Sequence, residues 1–140
     1  MIVFISCVKQ KNPKRCKAEE MYISDLFKKS LNYAKQLKPQ KIYILSAKYG
    51  VLELDDVIDP YEQTLNDMKE PEKKKWASMC LEQLKAKGTD FDEQTTFLCG
   101  NNYRKYLINH FQNPNVPLIG LGIGQQLSFY KKILEKGNSL

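Results

Sequence analysis

Apolar residues in this chain fall into short unbroken runs separated by longer stretches of helical periodicity. Ile2–Ile5 and Ile42–Leu45 are runs of strand length, rich in branched side chains, and they read as strands covered on both faces. The expected strands are Ile2 to Ser6, Lys41 to Ser46, Thr95 to Cys99 and Val116 to Ile119. Between them Leu26, Phe27, Leu31, Ala34 and Leu37 recur at helical spacing, and Ser24 with Asp25 supplies an N-terminal cap. Glu70-Pro71-Glu72 opens a second helix, with proline in its first turn and Trp76, Cys80, Leu81 and Leu84 turned inward; Lys87-Gly88 closes it. A third helix carries Tyr103, Tyr106, Leu107, His110 and Phe111 on its apolar side. A last one, Gln125 to Glu135, follows the glycine-rich turn Gly120 to Gly124.

Four β-α units in succession predict an α/β domain of three layers, αβα, in which right-handed crossovers put helices on both faces of a four-stranded parallel sheet. At 140 residues, 42% of them hydrophobic, one domain spanning residues 1–140 is expected. The apolar stretches are too short for membrane insertion, and Met1-Ile-Val-Phe-Ile5 lacks the basic leader and small-residue cleavage site of a signal peptide, so a cytoplasmic location is expected. Cys7, Cys16, Cys80 and Cys99 show no two-residue spacing and are expected to be reduced thiols. A zinc site from Cys7, Cys16 and His110 is conceivable, but the spacing argues against it, and neither metal nor cofactor is expected.

Charge is distributed unevenly. Residues 1–50 carry eleven cationic and three anionic groups, residues 51–100 six and twelve, and residues 101–140 five and one. Lys9, Lys11, Lys14, Arg15 and Lys17 crowd a loop broken by Asn12-Pro13, which suits a mobile contact with phosphates; a merely solubilising loop is the alternative.

Each strand ends in a polar or glycine-containing segment, and in a parallel sheet these ends share one rim, where ligands bind. The segments are Ser6-Cys7, Ser46-Ala-Lys48-Tyr49-Gly50, Cys99-Gly100-Asn101-Asn102 and Gly120-Leu-Gly122-Ile-Gly-Gln125-Gln126. Cations, amides, rings and free N–H groups together suit a nucleotide or nucleic-acid ligand, with ordinary βα-turn chemistry as the competing view. The glycine run lacks both the dinucleotide fingerprint and a nucleotide-hydrolase loop, though the following helix N-terminus favours an anion.

Asp55, Asp56, Asp59 and Glu62 lie in the long connection after the second strand. Asp55 and Asp56 are expected to face solvent. Asp59, held beside a ring in Asp59-Pro60-Tyr61, is a candidate carboxylate for activating water or stabilising a cationic sugar; a simple turn is the alternative. His110 is expected at the core edge rather than in catalysis. Cys7 has no histidine nearby in sequence to serve as its base, and Tyr22 either reaches the rim or staples the start of the first long helix.

Ile5-Ser-Cys-Val-Lys9, Met21-Tyr-Ile-Ser24 with Leu26-Phe27, Ile44-Leu-Ser-Ala-Lys-Tyr-Gly50, Asp59-Pro-Tyr61 and Gly122-Ile-Gly-Gln125 resemble the small bacterial and phage domain family DUF6884, over nearly the whole chain. More distantly, Lys48-Tyr-Gly-Val-Leu52 through Ile58-Asp-Pro-Tyr61 is similar to the central motif of the YaaA peroxide-stress proteins, which bind DNA and whose core resembles uracil-DNA glycosylases. That similarity implies strand order 2-1-3-4 with a nucleic-acid cleft at the strand ends. The water-activating motif and late histidine loop of the glycosylases have no counterpart here, so ordinary uracil excision is not expected.

The resulting expectation is a domain that binds a nucleobase or nucleotide, as a rule within nucleic acid, and that cleaves an N-glycosidic bond if it is an enzyme. Lys9, Lys11, Lys14 and Arg15 would hold phosphates, Tyr49 or Tyr61 would stack on a base, Ser46, Lys48 and Asn101 would orient it, and Asp59 would be the carboxylate. Ser6, Tyr22, Gly50, Gly100, Gly122 and Gln125 complete the expected rim, with Lys48, Tyr61, Asn101 and Gln125 sharing one cavity. Two alternatives stand beside this: a non-catalytic nucleic-acid or nucleotide sensor, and a small-molecule nucleoside hydrolase or transferase. The oligomeric state is not legible in the chain.

Overall fold

Strand β1 (Ile2–Ser6) lies at the centre of the sheet, because its run of Ile2, Val3, Phe4 and Ile5 is buried on both faces. The structure is a computed structural model that describes residues 1–138. After β1 come a short strand β2 (Cys16–Lys17), helices α1 (Ala18–Met21) and α2 (Asp25–Gln36), and strands β3 (Lys41–Ser46), β4 (Gly50–Glu53) and β5 (Val57–Ile58). A 3-10 turn (Leu65–Asp67) leads to α3 (Glu70–Ala86), β6 (Gln94–Leu98) and α4 (Asn101–Arg104). A second 3-10 turn (Ile108–His110), β7 (Asn113–Asn115) and α5 (Ile123–Asn138) complete the order.

The main sheet runs β4-β3-β1-β6-β7. β1 pairs in parallel with β3 and β6, and β6 with β7, whereas β4 runs antiparallel to β3. The expected sheet of four parallel strands is therefore corrected to a mixed, mostly parallel sheet of five. The added strand has a local cause: Gly50 adopts φ +77°, so the chain reverses immediately after β3 and pairs Leu45 with Val51 and Tyr43 with Glu53.

Two other boundaries differ from expectation. The last strand is Asn113–Asn115, while Val116 to Ile119 forms a turn that buries Leu118 and ends at Gly120, φ +79°. Nothing in Asn-Pro-Asn favours a strand; its position at the sheet edge tolerates a proline without a ladder N–H. The helix expected over Tyr103 to Phe111 breaks after Arg104. Tyr103, Leu107 and Phe111 still point inward, but His110 is exposed on the 3-10 turn instead of sitting at the core edge.

The helices divide between the two faces. The β1-α2-β3 crossover and the returning β3-α3-β6 crossover run in opposite directions, so right-handed connection places α2 and α3 on opposite faces. α5 packs on α2, and α3 runs along β4. On the α3 side Phe4 stacks on Phe97 at 5.2 Å between ring centroids and meets Phe111 edge-on at 5.6 Å. Pairs of this kind contribute roughly 0.5–1.5 kcal/mol each beyond area burial. Among the described residues no helix is long and apolar enough to cross a membrane.

The basic segment is hydrogen-bonded to its neighbours on either side of the exposed Lys14 and Arg15. Lys11 bridges to Tyr22, Asn12 N donates to Met21 O at 2.7 Å, Ile23 N donates to Gln10 O at 3.1 Å, and β2 pairs with β5. These contacts fix where its cations emerge.

Candidate functional site

The ends of β1 and β6 are neighbours in the sheet, so whatever follows them must share the same rim. After β1 the chain passes through Ser6 and Cys7 into Lys9 and Lys11; after β6 it passes through Cys99 and Gly100 into Asn101 and Asn102. The segment Glu62 to Asp67 closes the opposite side, and Leu26, Phe27 and Ile123 form an apolar wall from α2 and α5. Together they enclose a cleft of about 650 Å³, within the size range of small-molecule sites.

Its floor is held by Tyr103. The Tyr103 hydroxyl accepts from Cys7 Sγ at 3.3 Å and from Leu65 N at 3.4 Å, while its ring meets Trp76 edge-on at 5.7 Å. Burial pushes the Tyr103 phenol well above its ordinary value, so it stays protonated. The Cys99 thiol is likewise pushed up, to about 12, by burial that outweighs the nearby Arg104. A thiol so raised is a poor nucleophile at neutral pH. Lys11 reaches over the Tyr61 ring, its Nζ 4.6 Å from the centroid, and donates to Lys9 O at 3.2 Å. Burial lowers its pKa, partly opposed by Cys7 and Glu62.

Of the residues expected at the site, Ser6, Lys9, Lys11, Gly100 and Asn101 line this cleft. The others do not. Tyr22 is 1% and Tyr61 8% exposed, and Ser46 is fully buried. The two phenols lie 2.6 Å apart, Ser46 Oγ donates to Tyr61 Oη at 2.7 Å, and Tyr49 N donates to Ser46 Oγ at 3.0 Å. Burial drives both phenols far above their ordinary range. Tyr61 is thus a core cross-link in T-shaped contact with Tyr22 and Tyr49 and covered by the Lys11 ammonium, which leaves little of its ring open to a base.

Gly50 also has a structural role. Gln83 Oε1 accepts from Val51 N at 2.7 Å and Gln83 Nε2 donates to Tyr49 O at 3.0 Å, and a Cβ on Gly50 would lie 2.3 Å from Gln83 Oε1. Lys48 is exposed, with Nζ 5.3 Å from the Tyr49 ring centroid, and the Tyr49 hydroxyl bonds the Asp59 backbone. The Asp59 carboxylate accepts from Arg15 at 2.9 Å in a solvent-exposed pair outside the cleft. Lys14 is exposed beyond it, and Gln125 accepts from Gly122 N at 3.0 Å as a local cap on α5. The cavity expected to unite Lys48, Tyr61, Asn101 and Gln125 is not found: only Asn101 of the four lines the cleft.

The cleft also contains Asn66 and Asp67, which sequence reasoning passed over, and Glu62 and Asn102, which it named without giving them a role. A local signal existed for one group. Thr64 Oγ1 accepts from Asn66 N at 3.2 Å, a cap of the kind Thr-x-Asn-Asp encodes, and it turns Asn66 and Asp67 toward the rim. Among the described residues no three His, Cys, Asp or Glu side chains converge as a metal site would require.

The model of DUF6884, described as a family of unknown function, matches residues 2–132. No curated protein matches the chain.

Proposed function

The chain belongs to the DUF6884 family, and from its cleft we propose that it binds a nucleobase or nucleotide, free or within a single-stranded nucleic acid. The observation that carries this reading is the convergence of Lys9 and Lys11 with Asn66, Asn101 and Asn102 against the apolar wall of Leu26, Phe27 and Ile123. Cations suit phosphate, amides suit a base edge, and an apolar wall suits the flat face of a heterocycle. A base in a duplex would have to leave its stack to enter. The reading takes the parallel part of the sheet as akin to that of uracil-DNA glycosylases, with β4 as an added edge. It also places the protein in the cytoplasm, where its four free cysteines would remain reduced.

Titrating uridine monophosphate and a single-stranded oligonucleotide over a range of salt concentrations tests the proposal. Two lysines at phosphates predict a log–log slope for the oligonucleotide of about −1.4, and Lys9→Ala or Lys11→Ala should each flatten it by roughly 0.7. Lys14→Ala should leave it unchanged. A flat dependence in wild type, or no binding of either ligand, contradicts the reading.

The carboxylates Glu62 and Asp67 in the cleft favour a second reading, N-glycosidic cleavage of the bound nucleotide. Base release that disappears in Glu62→Gln or Asp67→Asn but survives Asp59→Asn would support it. Tight binding without release leaves a sensor, and free nucleosides outcompeting oligonucleotides at physiological salt would favour a small-molecule hydrolase or transferase.

A further inference from the structure

Beside the cleft a buried cation begins a chain of hydrogen bonds whose polarity runs in one direction. Lys73 is only 8% exposed, and its ammonium donates to Glu70 Oε1 at 3.1 Å and to Asn102 Oδ1 at 3.1 Å. An ammonium has no acceptor, so Asn102 must turn its oxygen toward Lys73 and its Nδ2 away. That Nδ2 donates to Asn66 Oδ1 at 2.7 Å. Asn66 must therefore present its oxygen to Asn102, and its own Nδ2, which has no protein partner among the described residues, is left at the exposed lip of the cleft.

The far end of the chain is equally constrained. Glu70 accepts from Lys105 Nζ at 2.8 Å and from the Tyr106 hydroxyl as well as from Lys73, so its carboxylate is fixed between α3 and the segment after α4. An isolated amide can rotate to match a donor or an acceptor at little cost. Asn66 is held instead, because reversing it would set Asn102 Nδ2 against another donor and give up the 2.7 Å bond between the two amides.

The geometry points to Asn66 as the residue that selects the ligand, offering a fixed pair of N–H donors to a carbonyl oxygen on a nucleobase edge, with Lys73 and Asn102 as positioning residues. Resting on the nucleotide reading above, this commits the site to keto-bearing bases over those that carry an amino group at the same position. An amino group there would meet donors with donors.

Binding of uridine, cytidine, guanosine and adenosine monophosphates, with ribose 5-phosphate as a base-free control, tests it. Wild type should prefer uridine over cytidine and guanosine over adenosine monophosphate by about tenfold, the discrimination of one good base-edge contact. Asn66→Asp, which replaces donors with acceptors, should invert that ratio while affecting ribose 5-phosphate no more than the nucleotides as a class. Lys73→Met keeps Asn66 but frees Asn102 to turn, and the ratio should fall toward parity in a variant that still melts cooperatively. Equal binding of keto and amino nucleotides by wild type, or a ratio unmoved by Asn66→Asp, overturns the inference and leaves the nucleotide reading standing. Selective loss of ribose 5-phosphate in Asn66→Asp would reassign Asn66 to phosphate and overturn it too. Failure of every nucleotide and of ribose 5-phosphate to bind wild type would overturn both.

Discussion

The hairpin region around β3, β4 and β5 and the cleft beyond β1 and β6 both carry many polar side chains, yet they differ in what those groups have left to offer. In the hairpin nearly every group is spent: Tyr61 on Tyr22 and Ser46, Gln83 on both sides of Gly50, Tyr49 on the Asp59 backbone, Asp59 on Arg15. In the cleft Lys9, Asn66 and Asn101 face open space. Unused hydrogen-bonding capacity beside a cavity, rather than density of polar residues along the chain, separates a binding surface from a cross-linked core.

Substitution in the two regions should therefore divide stability from binding, and the largest effect falls on the support of the hairpin. Trp76 is buried, and its Nε1 donates to Ser46 O at 2.9 Å. Trp76→Ala should cost about 3–5 kcal/mol in urea unfolding, from lost burial and an orphaned carbonyl. A cost under about 1 kcal/mol would mean this contact does not organise the end of β3.

Tyr61→Phe keeps the ring and removes the hydroxyl on which Tyr22 and Ser46 converge. It should lower stability by about 1–3 kcal/mol, the cost of stranding buried polar partners, and leave nucleotide affinity within about twofold. A large affinity loss without destabilisation would return Tyr61 to the site.

Glu70 offers a pH test at the boundary of the two regions. Lys105, Tyr106 and Lys73 hold its carboxyl down to about 2, below the usual 4.5. Because the folded value is depressed, the stabilisation is fully present above the unfolded value and is lost as pH falls toward the folded one. The difference in melting temperature between wild type and Glu70→Gln should be constant at neutral pH, begin to shrink near pH 4.5 and vanish toward pH 2. A difference that persists at pH 2 would show that charge is not its source. The smallest effect belongs to Asp59→Asn, which breaks an exposed pair with Arg15. It should change stability by about 0–1 kcal/mol and binding not at all.

How far these regions were legible follows from the range of the interactions that make them. β3 is its apolar run Ile42 to Leu45 with one residue added at each end, α3 starts at Glu70 beside its proline, and Ser24 caps α2 by accepting from Phe27 N at 3.1 Å. Each is a local signal. β7 carries no strand propensity in Asn-Pro-Asn and exists only because β6 offers an open edge. β4 was marked by Gly50 followed by Val51 and Leu52, but a glycine expected to serve a ligand concealed a turn. The same confusion affected Tyr61 and Ser46: their polar ends suit a site equally well, and only the fold reveals that they meet each other. Asn66 and Asn102, thirty-six positions apart, carry no pattern that would pair them before the chain is folded.

The direct test of the cleft as the binding surface is a crystal structure soaked with uridine monophosphate. The account predicts ligand density between the Lys9–Lys11 segment and Asn66, with the base against Leu26 or Ile123. Density beside Lys48 and Tyr49, with the cleft empty, would contradict it.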